Sequence, residues 1–328
     1  MGTLMIYGAT GYTGRLAAEH AAAAGLDLIL GGRDTTRLAA QADRLGVSHR
    51  AFDLDDGAAA VAAALADVAV ILNCAGPFMR TAGPLMRAAI SSQTDYLDVA
   101  AELDGYHLAD SLDRGARDAG VMLLPGSGGS VAMLGCLAGH AVGRVTEPER
   151  VRIALHVAGS MSRGSAISAS ENLTTETLQR VDGKLIARDP GDRRDFDFGW
   201  GPATCSAATL PDLITIWRAT LVPNVETFVH VTGDAFPDGD LASLPDGPTA
   251  GHRDANRYHA AVEVTGRDDT MVRSVLDTVN GYTFTPIAAA ESARRVLGGE
   301  HRPGFHTPAE LFGNGFAETI ADTRIIDL

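Results

Sequence analysis

Three glycines at three-residue spacing stand almost at the N-terminus, in Gly8-Ala9-Thr10-Gly11-Tyr12-Thr13-Gly14. An apolar run, Leu4–Tyr7, precedes them and a helical pattern over residues 16–24 follows. A strand that turns at once into a helix needs positions without Cβ, since glycine accepts positive φ and lets backbone meet backbone. The helix beyond presents unpaired N–H groups and a partial positive charge to the turn. The spacing is G-x-x-G-x-x-G rather than the commoner G-x-G-x-x-G. It predicts a strand–turn–helix unit that takes the pyrophosphate of a dinucleotide, with Gly8, Thr10, Gly11, Tyr12, Thr13 and Gly14 as the contacts.

The pattern continues through residue 125. Strands are expected at Leu4–Tyr7 and at residues 26–30, 47–52, 68–73, 96–99 and 121–124. Helices are expected at 11–24, 36–45, 58–65, 82–90 and 106–119. Strict β–α alternation predicts an α/β fold, a doubly wound, Rossmann-type parallel sheet with helices on both faces. Pro125-Gly126-Ser127-Gly128-Gly129 breaks the rhythm and marks a boundary, giving domains 1–129 and 130–328. After an apolar helix over 130–145, period-2 stretches at 150–157, 226–232 and 260–265 predict a second, α+β domain with a mixed or antiparallel sheet. Helices are expected there at 166–180, 271–279 and 286–297, the last free to pack back on the first domain. Residues 189–197 and 236–253 read as loops.

In a doubly wound sheet the ligand lies beyond the carboxyl ends of the strands. The second strand runs into Gly31-Gly32-Arg33-Asp34-Thr35-Thr36-Arg37. An acid there favours NAD; the guanidinium of Arg33, assisted by Arg37, favours the 2′-phosphate of NADP. Asp34 either caps the next helix or touches the ribose, and Asp53 either meets the adenine amino group or closes a surface turn. Asn73-Cys74-Ala75-Gly76-Pro77-Phe78 ends the fourth strand, where small residues bring the loop close to the cofactor and Phe78 walls the nicotinamide. Tyr96, Asp98 and Glu102, around the end of the fifth strand, are the candidates for acid–base work; the structural alternative has Asp98 capping a helix and Tyr96 packing. Arg163 is the candidate contact for a substrate carboxylate and Tyr282 a further substrate contact. Cys136, in an apolar helix with His140 one turn on, reads as core.

The bulk properties set limits. There are 27 basic and 41 acidic residues, a formal charge of -14, which repels nucleic acid and anionic membranes at long range. The longest apolar tract, residues 58–72, contains Asp67 and is too short to span a bilayer. The N-terminus enters a strand pattern without a charged leader, so a signal peptide is not expected and a cytoplasmic location is. Cys74, Cys136 and Cys205 lack metal-ligand spacing, so no metal is expected. Lys184 is the single lysine, in a polar stretch ill suited to Schiff-base chemistry.

The Gly8–Gly14 turn, Gly32-Arg33-Asp34, the 73–78 loop and Tyr96-Leu97-Asp98-Val99-Ala100-Ala101-Glu102 together resemble the saccharopine dehydrogenase-like family, which includes saccharopine reductases and trans-acting enoyl reductases. The resemblance covers the first 125 residues and loosens beyond, at Gly164-Ser165 and at residues 304–309. Ala101 stands where members often carry glycine, and Gly126-Ser127-Gly128-Gly129-Ser130-Val131 where the enoyl reductases often carry Gly-Phe-Asp-Ser-x-Pro. It implies NADPH-dependent reduction of a polarised double bond, C=C, C=N or C=O, in a small or carrier-linked substrate. Two alternatives stay open: a saccharopine-type imine reductase of amino acids, and a non-catalytic NADP-binding sensor. A homodimer is also left open.

Overall fold

The computed structural model describes residues 2–171, 176–233 and 241–328. The first half alternates as the pattern requires: β1 (Leu4–Tyr7), α1 (Tyr12–Ala23), β2 (Leu28–Gly32), α2 (Thr35–Leu45), β3 (Ser48–Ala51), α3 (Ala58–Ala64), β4 (Val70–Asn73), α4 (Phe78–Ser92), β5 (Asp95–Asp98), α5 (Leu103–Ala119), β6 (Met122–Leu124) and α6 (Gly129–Val142). The second half follows with β7 (Pro148–Ala158), α7 (Arg163–Glu171), β8 (Thr177–Val181), β9 (Lys184–Arg188), β10 (Arg193–Asp197), β11 (Pro202–Ala207), α8 (Asp212–Thr220), β12 (Asn224–Thr232), α9 (Ala250–Asp254), β13 (Tyr258–Gly266), β14 (Met271–Thr278), α10 (Gly281–Leu297), β15 (Gly304–Phe305), α11 (Pro308–Phe312) and β16 (Arg324–Asp327).

Strands of the first sheet lie in the order β15-β6-β5-β4-β1-β2-β3, all parallel. One face is packed by Val61 of α3, Leu85 of α4 and Tyr106 of α5. The other is covered by Ala17, Ala18 and Ala21 of α1, Leu38 of α2 and, from far along the chain, Ala289, Ala290 and Ala293 of α10. The small residues on α1 and α10 let the two helices come close over β1 and β4. The second half thus contributes both a helix and a strand, β15, to the first sheet, so the chain crosses back over the 129/130 boundary.

The second sheet has the path β10-β11-β12-β7-β13-β14-β16 and is mixed: β12 and β7 are parallel, the other neighbours on that path antiparallel. Val151, Ile153 and Leu155 of β7, with Ala260, Val262 and Val264 of β13, pack on α6 and α8. Cys136 is in this core, as expected.

Five expectations are corrected. Where a helix is expected over 271–279, Met271–Thr278 is strand β14: Val272, Val275, Leu276 and Val279 suit helical spacing, but pairing with β13 across a short turn decides. The helix expected over 166–180 is α7, Arg163–Glu171, and β8 already begins at Thr177; the intervening part is outside the described residues. Helix α10 starts at Gly281, not near Pro286, because the Asn280 side chain caps it by accepting from the Tyr282 N–H at 3.0 Å. Within 189–197, Arg193–Asp197 is strand β10. Of the loop expected over 236–253, residues 236–240 lie outside the described residues and Ala250–Asp254 is helical.

Candidate active site

The glycines are held by contact with neighbouring backbone. Gly8 has φ +80°, and a Cβ there would meet the Ala75 backbone N at 2.7 Å. A Cβ on Gly14 would lie 2.2 Å from the Gly8 carbonyl oxygen, so α1 sits directly on the turn. Gly11 is the N-cap of α1 with no side-chain cap, and no acidic residue occupies the first helical turn. The helix end therefore keeps its N–H groups and positive partial charge for an anion. These observations fit a pyrophosphate.

A cleft of about 1000 Å³ opens from this turn toward the second sheet. At one end Arg33 is exposed and, among the described residues, makes no hydrogen bond or ion pair. It also borders a side recess of about 240 Å³ shared with Tyr7, Asp53 and Pro77. Arg37 lines the cleft but donates to the Thr10 carbonyl at 3.0 Å, bracing the turn. Asp34 caps α2 by accepting from the Arg37 N–H. Asp53 caps the short turn after β3, accepting from the Asp55 N–H at 3.1 Å. Both carboxylates thus cap, and both also line the cleft. Cys74, Ala75, Gly76 and Phe78 line the cleft; burial pushes the Cys74 thiol up to about 12.

Tyr96, Asp98 and Asn73 do not reach the cleft, a correction to their expected roles. All three are fully buried. Tyr96 donates to Asp98 Oδ2 at 2.8 Å and accepts from Asn73 Nδ2 at 3.2 Å. Asp98 Oδ1 accepts from the Ala100 and Gly126 N–H groups at 3.0 and 2.8 Å. Asn73 Oδ1 accepts from the Ala75 N–H at 3.0 Å. The network ties the loops after β4, β5 and β6 together, and a role as frame fits it better than proton transfer. Burial raises the Asp98 carboxyl to about 6, against the hydrogen bonds it accepts. Glu102 borders the cleft, but its carboxylate caps α4, accepting from the Phe78 and Met79 N–H groups at 3.1 and 2.7 Å.

The far end is built by the second half, with an apolar wall of Met133 of α6, Leu155 and Val157 of β7, Met161 and Ile167, and with Ser130, Ser165, Ser168 and Thr285 also lining it. Tyr282 lines it and accepts from the Ser162 N–H at 2.8 Å. Arg163 lines it too, yet donates to the Leu244 carbonyl at 2.7 Å and pairs with Asp246 at 3.2 Å. A strap over residues 244–253 closes across the turn. Tyr12 donates to the Pro248 carbonyl and accepts from Arg253, both at 2.6 Å, so its hydroxyl is occupied by protein.

Sequence reasoning missed Tyr258, Met133, Leu155 and Asp246. Tyr258 had a signal: it extends by two the alternation Ala260, Val262, Val264 on one face of β13. The others are brought in by tertiary packing alone.

A doubly wound domain with an anion-ready glycine turn and an uncommitted arginine after its second strand is a dinucleotide-binding domain of the NADP type. Residues 4–124 match the model of the saccharopine dehydrogenase NADP binding domain. Trans-acting enoyl reductases of Mycobacterium tuberculosis and Mycobacterium ulcerans are both 35% identical over 127 residues, 35% of this chain. That stretch is 30% of either relative's length. Over the whole chain the fold is similar to apo saccharopine dehydrogenase (L-Glu forming) of Saccharomyces cerevisiae, with TM-score 0.68 and 13% identity over 99% of this chain and 100% of that one. Among the described residues no helix is long and apolar enough to cross a membrane, and no cluster of side chains suits a metal ion.

Proposed function

We propose that the chain is an NADPH-dependent reductase of a polarised double bond in a largely apolar, uncharged substrate. The observation that carries this is the polarity of the cleft. It runs from a phosphate-ready turn with free Arg33 to a chamber walled by Met133, Leu155, Val157 and Met161. NADP is held, in this reading, by Gly8, Thr10, Gly11, Thr13 and the α1 N-terminus, with Arg33 at the 2′-phosphate and the Cys74–Phe78 loop along the nicotinamide half. The bound cofactor supplies hydride. The protein supplies position: the Asp98 network fixes the loops, the Arg253–Tyr12 strap covers the turn, and the apolar walls exclude water from the reacting face.

The amino-acid imine alternative needs cations for its substrate carboxylates. Among the described residues Arg163 is the one guanidinium lining the far end, and Leu244 and Asp246 already engage it. This favours a neutral acceptor such as the enoyl group named for the mycobacterial relatives, small or carrier-linked. The sensor alternative needs no chamber beyond the nicotinamide; the open apolar space beyond the turn favours an enzyme.

The test is titration with NADPH followed by nicotinamide absorbance against three acceptor classes: an enoyl thioester, a ketone, and an amino acid mixed with an aldehyde. Oxidation with the first or second supports the reading. Failure to bind millimolar NADPH, or turnover confined to the imine-forming pair, overturns it.

A further inference from the structure

We propose that the hydroxyls of Tyr258 and Tyr282 form a paired hydrogen-bond clamp for a carbonyl oxygen of the substrate. This restricts acceptors to molecules whose reducible bond is, or is conjugated to, a neutral carbonyl. The inference rests on the reductase reading and narrows its substrate class.

Both residues line the apolar end of the cleft. Tyr258 opens β13 and Tyr282 lies in the first turn of α10. Their proximity is built in by Gly281: a Cβ there would meet Tyr258 Cε2 at 2.5 Å, so the Tyr258 ring lies against the residue preceding Tyr282. The pair is also rigid. Asn280, buried, holds the Tyr282 N–H and donates to the Asn256 carbonyl at 2.7 Å. The Tyr282 ring stands edge-on to Tyr12, centroids 5.7 Å apart, which sets it beside the nucleotide turn.

Among the described residues neither tyrosine proton has a protein acceptor. Among the described residues the Tyr258 hydroxyl has no partner, although it is not sealed in the core. A largely buried phenol normally finds one. Tyr282 accepts from the Ser162 N–H, but its own proton has no protein acceptor there. Accepting one hydrogen bond strengthens a hydroxyl as donor in the other direction. Burial raises the Tyr258 phenol above its ordinary range, which keeps it a donor at neutral pH. Two neutral donors between apolar walls suit a carbonyl oxygen, which accepts two hydrogen bonds and gains negative charge as its conjugated bond is reduced. They suit a carboxylate poorly, because its full charge would be buried without a cation.

The experiment uses the full chain with bound NADP+, which forms a dead-end complex with the crotonyl thioester of N-acetylcysteamine labelled with carbon-13 at the carbonyl. Difference infrared spectroscopy reads the carbonyl stretch and calorimetry the affinity. The clamp predicts a stretch below that of the free thioester. Tyr258→Phe, which removes one oxygen and keeps the ring, should lose about half of that shift and bind the thioester roughly tenfold more weakly, as expected for one hydrogen bond. Tyr258→Phe combined with Tyr282→Phe should restore the free frequency while NADP+ affinity holds. An unshifted stretch in the wild type, or a shift unchanged by Tyr258→Phe, overturns the clamp. If the wild type nonetheless oxidises NADPH with the thioester, the reductase reading survives that result. Wild type that binds NADP+ but neither the thioester nor a methyl ketone of equal length overturns both.

Discussion

At the scale of single residues, Arg33 and Asp212 make opposite use of a lone charge. Arg33 is solvated, so it has no protein partner to leave when a phosphate arrives. A bidentate, charge-assisted contact with phosphate is worth about 2 kcal/mol. Arg33→Ala is therefore expected to weaken NADPH roughly thirtyfold and NADH little, by parallel fluorescence titrations; equal losses would remove Arg33 from the 2′-phosphate. Asp212, at the start of α8, is fully buried, and neither carboxyl oxygen has a hydrogen-bond partner among the described residues. Burial raises it to about 7. A carboxyl raised in the folded state binds its proton more tightly there than in the unfolded chain. Its contribution to stability is thus full below about pH 4 and lost as pH rises through 7. Asp212→Asn should leave urea stability unchanged near pH 4 and add roughly 2–4 kcal/mol at pH 9. A gain of the same size at both values would mean that its charge is not the cause.

Among the elements, the second sheet carries a row of histidines that its register creates. His230 of β12 faces His156 of β7, which faces His259 of β13. His259 pairs with Asp277 of β14 at 3.3 Å. His156 is the middle member, bonded to Thr232 at 2.8 Å, and burial with the two flanking rings lowers it to about 4. A histidine lowered in the folded state stabilises fully above its ordinary value near 6.5 and loses that contribution as pH falls toward 4. Thermal melts between pH 7 and pH 4.5 should show His156→Gln losing roughly 1–3 kcal/mol less than wild type; identical losses would place the acid sensitivity elsewhere. No part of this row was legible in the sequence, since it exists only once three distant strands are in register. The first half was far more readable. There, each strand is followed by its own helix, and local signals such as the Gly8–Gly14 turn define both. In β14 the same apolar residues fit two periods, and the choice was made by β13. Tyr96 and Asp98 were misjudged for a related reason: their place at a strand end was readable, but not that Asn73, Ala100 and Gly126 would enclose them.

For the whole molecule, the decisive feature is that the chain returns to its first domain after building its second. Leu97 of β5 and Leu124 of β6 share a buried cluster with Ala289, Ala290 and Ala293 of α10. Beyond them β15 pairs with β6 as the edge of the first sheet, with the Gly304 N–H donating to the Val121 carbonyl at 2.8 Å. The site depends on the same return, because α10 also carries Tyr282 and Thr285 into the cleft. Residues 1–129 contain every motif of the dinucleotide site but lack the helix that covers half of one sheet face. An uncovered face of a parallel sheet is apolar and unstable in water. The isolated 1–129 fragment is thus expected to bind a hydrophobic dye, to melt without a cooperative transition and to bind NADPH far more weakly than the full chain. Joining residues 281–312 to it through a flexible Gly/Ser linker should restore the cooperative melt and much of the NADPH affinity, since α10 and β15 then reach their places. The second sheet and the strap would still be missing, so affinity should fall short of the full chain by the share that the Tyr12–Arg253 contact supplies. A 1–129 fragment that melts cooperatively and binds NADPH as the full chain does would show that the first domain is complete without the returning helix.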